Sequence, residues 1–286
     1  MVRLFELIKS GKQRIEEFCI DTPQLDAEVI LSHILNKDRM YLYLNREVII
    51  DEAIVNEFNK LIDRRCGSEP MAYITGTKEF MGLDFNVKPG VLIPRGDTEI
   101  LVDAIIKRIK IVKNPVVVDI GCGSGAIAIS IAKYDKNAVV YALDIMDTPL
   151  EVAKFNAINN GVGERVNVIK SDILNSLHKR YENSIDVIVS NPPYIEENVI
   201  PTLMMDVKNF EPLPALLGGK DGLDFYRKIT KESIKFLRNN GLIAYEIGYN
   251  QREEVVSILR AHGFYNIECI KDLGGNDRVV LGYLSK

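Results

Sequence analysis

The run Asn191-Pro192-Pro193-Tyr194 carries the most chemistry in this chain. It follows the apolar stretch Ile185–Val189 and Ser190, so it sits at the end of an expected strand. Its residue types suit methylation of a planar nitrogen. An amide nitrogen is a poor nucleophile, because its lone pair is delocalised into the carbonyl. Two acceptors, the Asn191 side-chain oxygen and the Pro192 backbone carbonyl, can hold the N–H groups and aim the nitrogen at a methyl donor. Positive charge grows on the nitrogen as the methyl arrives, so both acceptors bind the transition state better than the ground state. Pro192 and Pro193 supply no N–H and stiffen the chain, which pre-aims the carbonyl. Tyr194 can pack flat on the target amide. Attack needs no base, because the proton becomes acidic once the nitrogen is methylated. A sulfonium leaving group needs no acid, so no His, Cys or carboxylate cluster is expected. The competing reading is a plain strand-ending turn.

A second constellation lies upstream. The run Val116–Val118 leads into Asp119-Ile120-Gly121-Cys122-Gly123-Ser124-Gly125, then a helical stretch from Ala126. A glycine-rich turn between strand and helix lets backbone approach a ligand closely. Alone it is equally a tight structural turn, and Gly121, Gly123 and Ala126 even satisfy a dinucleotide pattern. Asp119 sits just before the glycines and is expected to bind the cofactor with Gly121, Cys122, Gly123, Ser124 and Gly125. Asp144 ends the next apolar run, where an acidic residue binds ribose hydroxyls of NAD or of S-adenosylmethionine (SAM) alike. Asp172 and Ile173 follow the third run. They are placed to border an adenine ring, the carboxylate accepting from the exocyclic amine and Ile173 packing on the face. Asp172 also reads as an N-cap for a helix over 173–178. Asn-Pro-Pro-Tyr on the fourth strand favours SAM, since a dehydrogenase has no need of it.

These residues need an α/β sheet to bring them together. Val116–Val118, Val139–Leu143, Val166–Ile169, Ile185–Val189 and Leu242–Ile247 are short apolar runs that suit buried parallel strands. Two final strands near 264–270 and 278–284 are joined too closely for a parallel crossover, so they are expected to be antiparallel. Residues 1–66 read as helices only. Leu4, Leu7, Ile8, Ile15 and Phe18 form one stripe, and Leu25, Val29, Ile30, Ile34 and Leu35 another. The second opens at Thr22-Pro23; a third helix starts at Asp51. Residues 69–94 read as a hairpin or extended linker. The resulting division is 1–68 helical, 69–94 hairpin linker, and 95–286 a Rossmann-like catalytic domain. Residues 195–222 are rich in Pro and Gly without periodicity, as expected of a functional loop.

Composition excludes several classes. Of 286 residues, 47% are hydrophobic and 27% charged, which fits a globular chain with an ample core. The net charge of −4 lacks the basic excess of a nucleic-acid binder. Cys19, Cys66, Cys122 and Cys269 are too widely spaced for a metal site or disulfide framework. No apolar run approaches membrane-span length, and the charged N-terminus is no signal peptide. A cytoplasmic enzyme with no metal and no membrane partner is expected.

The chain resembles the bacterial HemK-type glutamine methyltransferases of peptide-chain release factors. The resemblance runs through Glu69–Gly76, Phe80–Phe85, Val91–Arg95 and Asp97-Thr98-Glu99. It continues through the glycine turn and Asn-Pro-Pro-Tyr to Glu211-Pro212, Asp221-Gly222-Leu223, Glu246-Ile247-Gly248 and Asp272–Arg278. The resemblance implies that SAM is the co-substrate, held at Gly121–Gly125, Asp144, Asp172–Ile173 and Asn191. It implies that a glutamine in a Gly-Gly-Gln motif of a class 1 release factor binds at Asn191–Tyr194. The helical first domain would grip that protein. Gly96 departs from the family's usual proline, and Ile173 stands where an aromatic can occur. Amino-group methylation of DNA or RNA uses the same tetrapeptide and is the alternative. A non-catalytic SAM-binding module would have no use for Asn191 and Tyr194.

Overall fold

A computed structural model describes residues 2–18 and 20–286; Met1 and Cys19 lie outside the described residues. Two compact units emerge, Met1–Thr77 with Met204–Phe210, and Lys78–Leu203 with Glu211–Lys286.

The first unit holds β1 (Val2–Arg3), α1 (Leu4–Glu16), α2 (Pro23–Leu35), α3 (Arg39–Leu44), β2 (Ile49–Ile50), α4 (Glu52–Cys66) and α5 (Met71–Thr75). Its core is Leu4, Leu7, Ile8, Ile15, Ala27, Ile30, Leu31, Phe58 and Ile62, with neighbours from α3 and α5. Phe18 and Leu25 stay exposed, against the expected stripes. Helix α2 is turned by two buried carboxylates. Asp26 accepts from Arg65 Nε at 2.6 Å, and Glu28 accepts from Arg39 Nε at 2.9 Å and the Tyr43 hydroxyl at 2.9 Å. That rotation puts Ala27, Ile30 and Leu31 inward. Burying a carboxylate without a partner is costly, so the paired arginines fix the helix face.

A hairpin of β3 (Thr77–Phe80) and β4 (Leu83–Asn86) leads from the last residue of the first unit's opening segment into the second. Its two-residue turn puts Met81 at φ 54° and Gly82 at φ 70°. Positive φ at both central residues matches the twist of a tight hairpin. Met81 holds this conformation because its N–H donates to Glu99 Oε1 at 2.6 Å and its carbonyl accepts from the Tyr134 hydroxyl. Asn156 clamps Asn86 through both its side-chain atoms, at 2.8 and 3.0 Å. Phe80 and Phe85 pack edge to face in the core.

Then come α6 (Thr98–Ile109), β5 (Val116–Ile120), α7 (Ala126–Tyr134), β6 (Val139–Asp144), α8 (Asp147–Asn159), β7 (Val166–Lys170) and β8 (Ile185–Ser190). Helix α9 (Met205–Phe210) groups with the first unit; α10 (Asp224–Phe236), β9 (Leu237–Glu246), α11 (Arg252–Ala261), β10 (Phe264–Lys271) and β11 (Asp277–Leu284) complete the second. The sheet order is β10-β11-β9-β8-β5-β6-β7. Strands β7, β6, β5, β8 and β9 are parallel, and β11 runs antiparallel between β9 and β10. The expected parallel sheet with a final antiparallel strand is therefore present.

Alternate residues feed two cores. Val117, Val140, Val187, Leu242 and Val279 join α6, α7 and α8 on one face. Val118, Leu143, Ile188, Ile243 and Val280 join α10 and α11 on the other. Burial on both faces explains why the strands read as continuous apolar runs rather than alternating ones.

The expected helix over 173–178 is absent; those residues form successive turns. Ile173 takes φ 49°, the Ser176 N–H donates to Ser171 Oγ at 3.1 Å, and Leu174 N–H donates to Glu232 Oε2 at 3.3 Å. One donor goes to a nearby serine and the other to a carboxylate on α10, and Ile173 is left-handed, so no helix propagates. Within 195–222, Ile195 bridges Leu217, and short 3-10 turns form at Ile200–Thr202 and Leu213–Ala215.

Candidate active site

Chain order reverses between β5 and β8: from β5 it steps out to β6 and β7, then crosses back to β8. Ligands of open α/β sheets bind at the carboxyl edge of such a switch point. Ser190 Oγ donates to the Ile120 carbonyl at 2.6 Å, tying the two strand ends together there. Both motifs leave from this stitch.

The glycine turn follows β5. Gly121 and Cys122 both donate to the Leu143 carbonyl, at 2.8 and 2.9 Å, which anchors the turn to β6. Gly121, Gly123 and Gly125 have φ of 73°, 55° and 83°, conformations that suit glycine. A Cβ on Gly125 would also sit 2.7 Å from Ile129 Cδ1. At Gly121 and Gly123 the space beyond is open, so their backbone is bare toward a ligand.

Asp144, half-buried at the end of β6, organises this turn. Its Oδ2 accepts from Gly123 N–H and its Oδ1 from Met146 N–H, each at 3.0 Å. Burial raises its carboxyl above the usual range, against the pull of those backbone bonds. Asp119 lies elsewhere. It is fully buried behind the turn, Oδ2 accepting from Ala128 N–H at 3.1 Å and Oδ1 without a hydrogen-bond partner. Burial pushes its carboxyl up to about 7.

One cavity of about 590 Å³ joins Gly121–Ser124, Asp144, Asp172, Ile173 and Asn191–Pro193. The sequence-derived residues therefore converge, with Asp119, Gly125 and Tyr194 set back from the wall. Leu92, Ile93, Pro94 and Phe225 add apolar wall. The size suits a nucleoside-bearing ligand, since such sites run to several hundred Å³. Bare glycine backbone beside a carboxylate suits the ribose and amino-acid ends of SAM, and the apolar wall suits its base. Ile173 is a β-branched residue held at positive φ on this wall, a strained conformation of the kind that collects at functional sites.

Asn-Pro-Pro-Tyr follows β8. Asn191 Nδ2 donates to Thr98 Oγ1 at 3.2 Å. The Tyr194 hydroxyl donates to Glu246 Oε1 at 3.4 Å, and burial pushes the phenol well up. The backbone behind is braced: Gln251 Nε2 donates to the Tyr194 carbonyl at 3.0 Å. Gly218 lies so close that a Cβ there would sit 2.7 Å from Tyr194 Cα and 2.8 Å from the Pro193 carbonyl. Backbone cannot yield as a side chain can. Gly218→Ala is expected to lower stability by about 1 kcal/mol or more, read as a shifted denaturant midpoint.

Sequence reasoning assigned no role to Thr98, Glu246, Arg95 or Glu211. Arg95, on the cavity wall, pairs with the buried carboxylate of Glu211. All four fall in segments that carry the resemblance, and that was the available signal.

This sheet order, with a glycine turn after β5 and Asn-Pro-Pro-Tyr after β8 around one cavity, defines a methyltransferase. The sequence matches the methyltransferase small domain over residues 93–207 and the PrmC N-terminal domain over 6–76. A methyltransferase from Pyrococcus furiosus shares the fold, with TM-score 0.54 at 21% identity, over 73% of this chain and 92% of that one. The release factor glutamine methyltransferase of Clostridium botulinum is 45% identical over 97% of this chain and 98% of its own length. That of Clostridium acetobutylicum is 47% identical over 94% and 93%. The chain belongs to the release factor glutamine methyltransferase family.

Proposed function

We propose that this protein transfers the methyl group of SAM to the side-chain amide nitrogen of the glutamine in the Gly-Gly-Gln motif of class 1 release factors. The observation that carries this reading is the Asn191 amide. Its Nδ2 is committed to Thr98, which leaves Oδ1 as an acceptor beside the glycine turn and Asp144.

Gly121–Gly125, Asp144 and the Asp172–Ile173 segment would hold SAM, whose sulfonium supplies an electrophilic methyl. Asn191 Oδ1 and the Pro192 carbonyl accept the two N–H groups of the glutamine amide. They hold the nitrogen lone pair in line and gain strength as that nitrogen becomes cationic. The N–C bond forms as the methyl–sulfur bond breaks, its electron pair staying on sulfur as a neutral thioether, and the proton, made acidic by methylation, passes from nitrogen to water. Pro193 stiffens the turn, and Tyr194, tethered to Glu246 and braced by Gln251, holds it from behind the cavity wall. Asp119 supports the turn from behind through Ala128 N–H.

The first unit grips the protein substrate. Its exposed Met40, Tyr43, Leu44 and Ile49 offer apolar side chains on α3 and β2 for such a contact. Among the described residues no helix is long and apolar enough to cross a membrane.

Transfer from methyl-labelled SAM separates protein from nucleic-acid targets. Label is expected in a purified class 1 release factor and absent from single-stranded DNA and RNA. Label in nucleic acid alone would overturn the reading.

A further inference from the structure

We propose that Glu246, acting through the Thr98 hydroxyl, is the positioning residue that decides which atom of the Asn191 amide meets the substrate. The inference rests on the methyl-transfer reading above and deepens it.

Three side chains form a directed relay. Glu246 ends β9 and is 2% exposed; Thr98 opens α6 and is 5% exposed. Thr98 Oγ1 donates to Glu246 Oε2 at 2.5 Å, and Asn191 Nδ2 donates to Thr98 Oγ1 at 3.2 Å. An ionised carboxylate can only accept, and a hydroxyl has one hydrogen. Thr98 spends that hydrogen on Glu246 and shows only lone pairs to Asn191. The NH₂ end of the amide must therefore face Thr98, which leaves Oδ1 as the acceptor a substrate N–H needs. The same carboxylate accepts from Tyr194 at 3.4 Å, so one group orients both polar side chains of Asn-Pro-Pro-Tyr.

Protonating Glu246 reverses the relay. Its new O–H would donate to Thr98 Oγ1, the Thr98 hydrogen would turn to Asn191, and the amide would flip. Two NH₂ groups would then face each other across the site. The groups around Glu246 set where this happens. Arg278 on β11 favours the charged form, Asp97 before α6 opposes it, and the Tyr226 hydroxyl on α10 donates to the Glu246 backbone carbonyl at 2.9 Å. Burial outweighs the favourable partners and pushes the carboxyl up to about 7. The ionised, productive form therefore gains as pH rises through that value.

The test compares wild type, Thr98→Val, Thr98→Ser and Glu246→Gln, with labelled SAM and a release factor as substrates. Thr98→Val is expected to lower kcat by about 10²-fold, the scale of a misplaced reacting group, with SAM affinity unchanged by calorimetry. Thr98→Ser keeps the hydroxyl and should restore most of it. Wild-type kcat should rise through about pH 7, and that limb should vanish in Glu246→Gln, which cannot titrate. A Thr98→Val enzyme with wild-type kcat, or a Glu246→Gln enzyme that keeps the limb, would overturn the inference. NMR of the Asn191 side-chain amide, assigned by its loss in Asn191→Ala, reads the relay without turnover. Its resonances should shift with the same midpoint in wild type and stay fixed in Glu246→Gln. A wild-type amide that does not move between about pH 6 and pH 8 would refute the relay. A wild type that moves no methyl to the release factor would instead overturn the functional reading.

Discussion

Asn191→Ala is expected to lower turnover by ~10²-fold or more while leaving SAM affinity nearly unchanged. The loss is that of one preorganised acceptor aimed at charge that develops only in the transition state. The side chain lines the cavity and its Nδ2 is already engaged by Thr98. Truncation removes the single atom that can hold a substrate N–H from this side, while the Pro192 carbonyl remains. The effect should fall on kcat more than on KM, because the interaction strengthens as the nitrogen becomes cationic. Asn191→Asp offers a sharper comparison. Thr98 shows Asn191 only lone pairs while Glu246 is ionised, so a carboxylate at 191 would face an acceptor and lose its anchor. Single-turnover transfer, measured with SAM and release factor both saturating, isolates the step. Near-normal turnover in Asn191→Ala would sink the mechanism.

Asp144→Ala should instead act on the donor. SAM affinity is expected to weaken by roughly 1.5–3 kcal/mol, the scale of a charge-assisted hydrogen bond. Two losses combine. A ribose hydroxyl would lose its acceptor, and Gly123 and Met146 N–H would lose theirs, so the turn that presents bare backbone would loosen. Asp144→Asn separates the two. It keeps one carbonyl oxygen for the turn and gives up the charge, so its effect should fall between wild type and Asp144→Ala. Calorimetry with SAM reads both. Because burial raises the Asp144 carboxyl, SAM affinity should also begin to fall at a higher pH than an exposed aspartate would give. Unchanged SAM affinity in Asp144→Ala would refute the ribose role.

How much of this was readable in the chain depended on locality. Val116–Ile120 and its parallel neighbours were legible because burial on both faces writes strands as unbroken apolar runs. The glycine turn and Asn-Pro-Pro-Tyr were legible because each is one contiguous segment at a strand end. The Thr98–Glu246 bond spans 148 positions, so no local pattern carries it. The helix expected after Asp172 failed because Ile173 adopts a left-handed conformation that composition does not announce. Leu25 went to solvent because Asp26 and Glu28 are held inward by arginines from other helices. Asp119 reads like Asp144, an aspartate at a strand end. Only the fold shows that it supports the turn from behind instead of facing the cavity.

The central claim is that the acceptor is one glutamine amide nitrogen. The direct measurement is transfer of labelled methyl from SAM to two copies of a class 1 release factor, one intact and one with the Gly-Gly-Gln glutamine changed, followed by mass spectrometric mapping. A single methyl on the side-chain nitrogen of that glutamine in the intact copy, and none in the altered copy, is the predicted result. Equal labelling of both copies would contradict it.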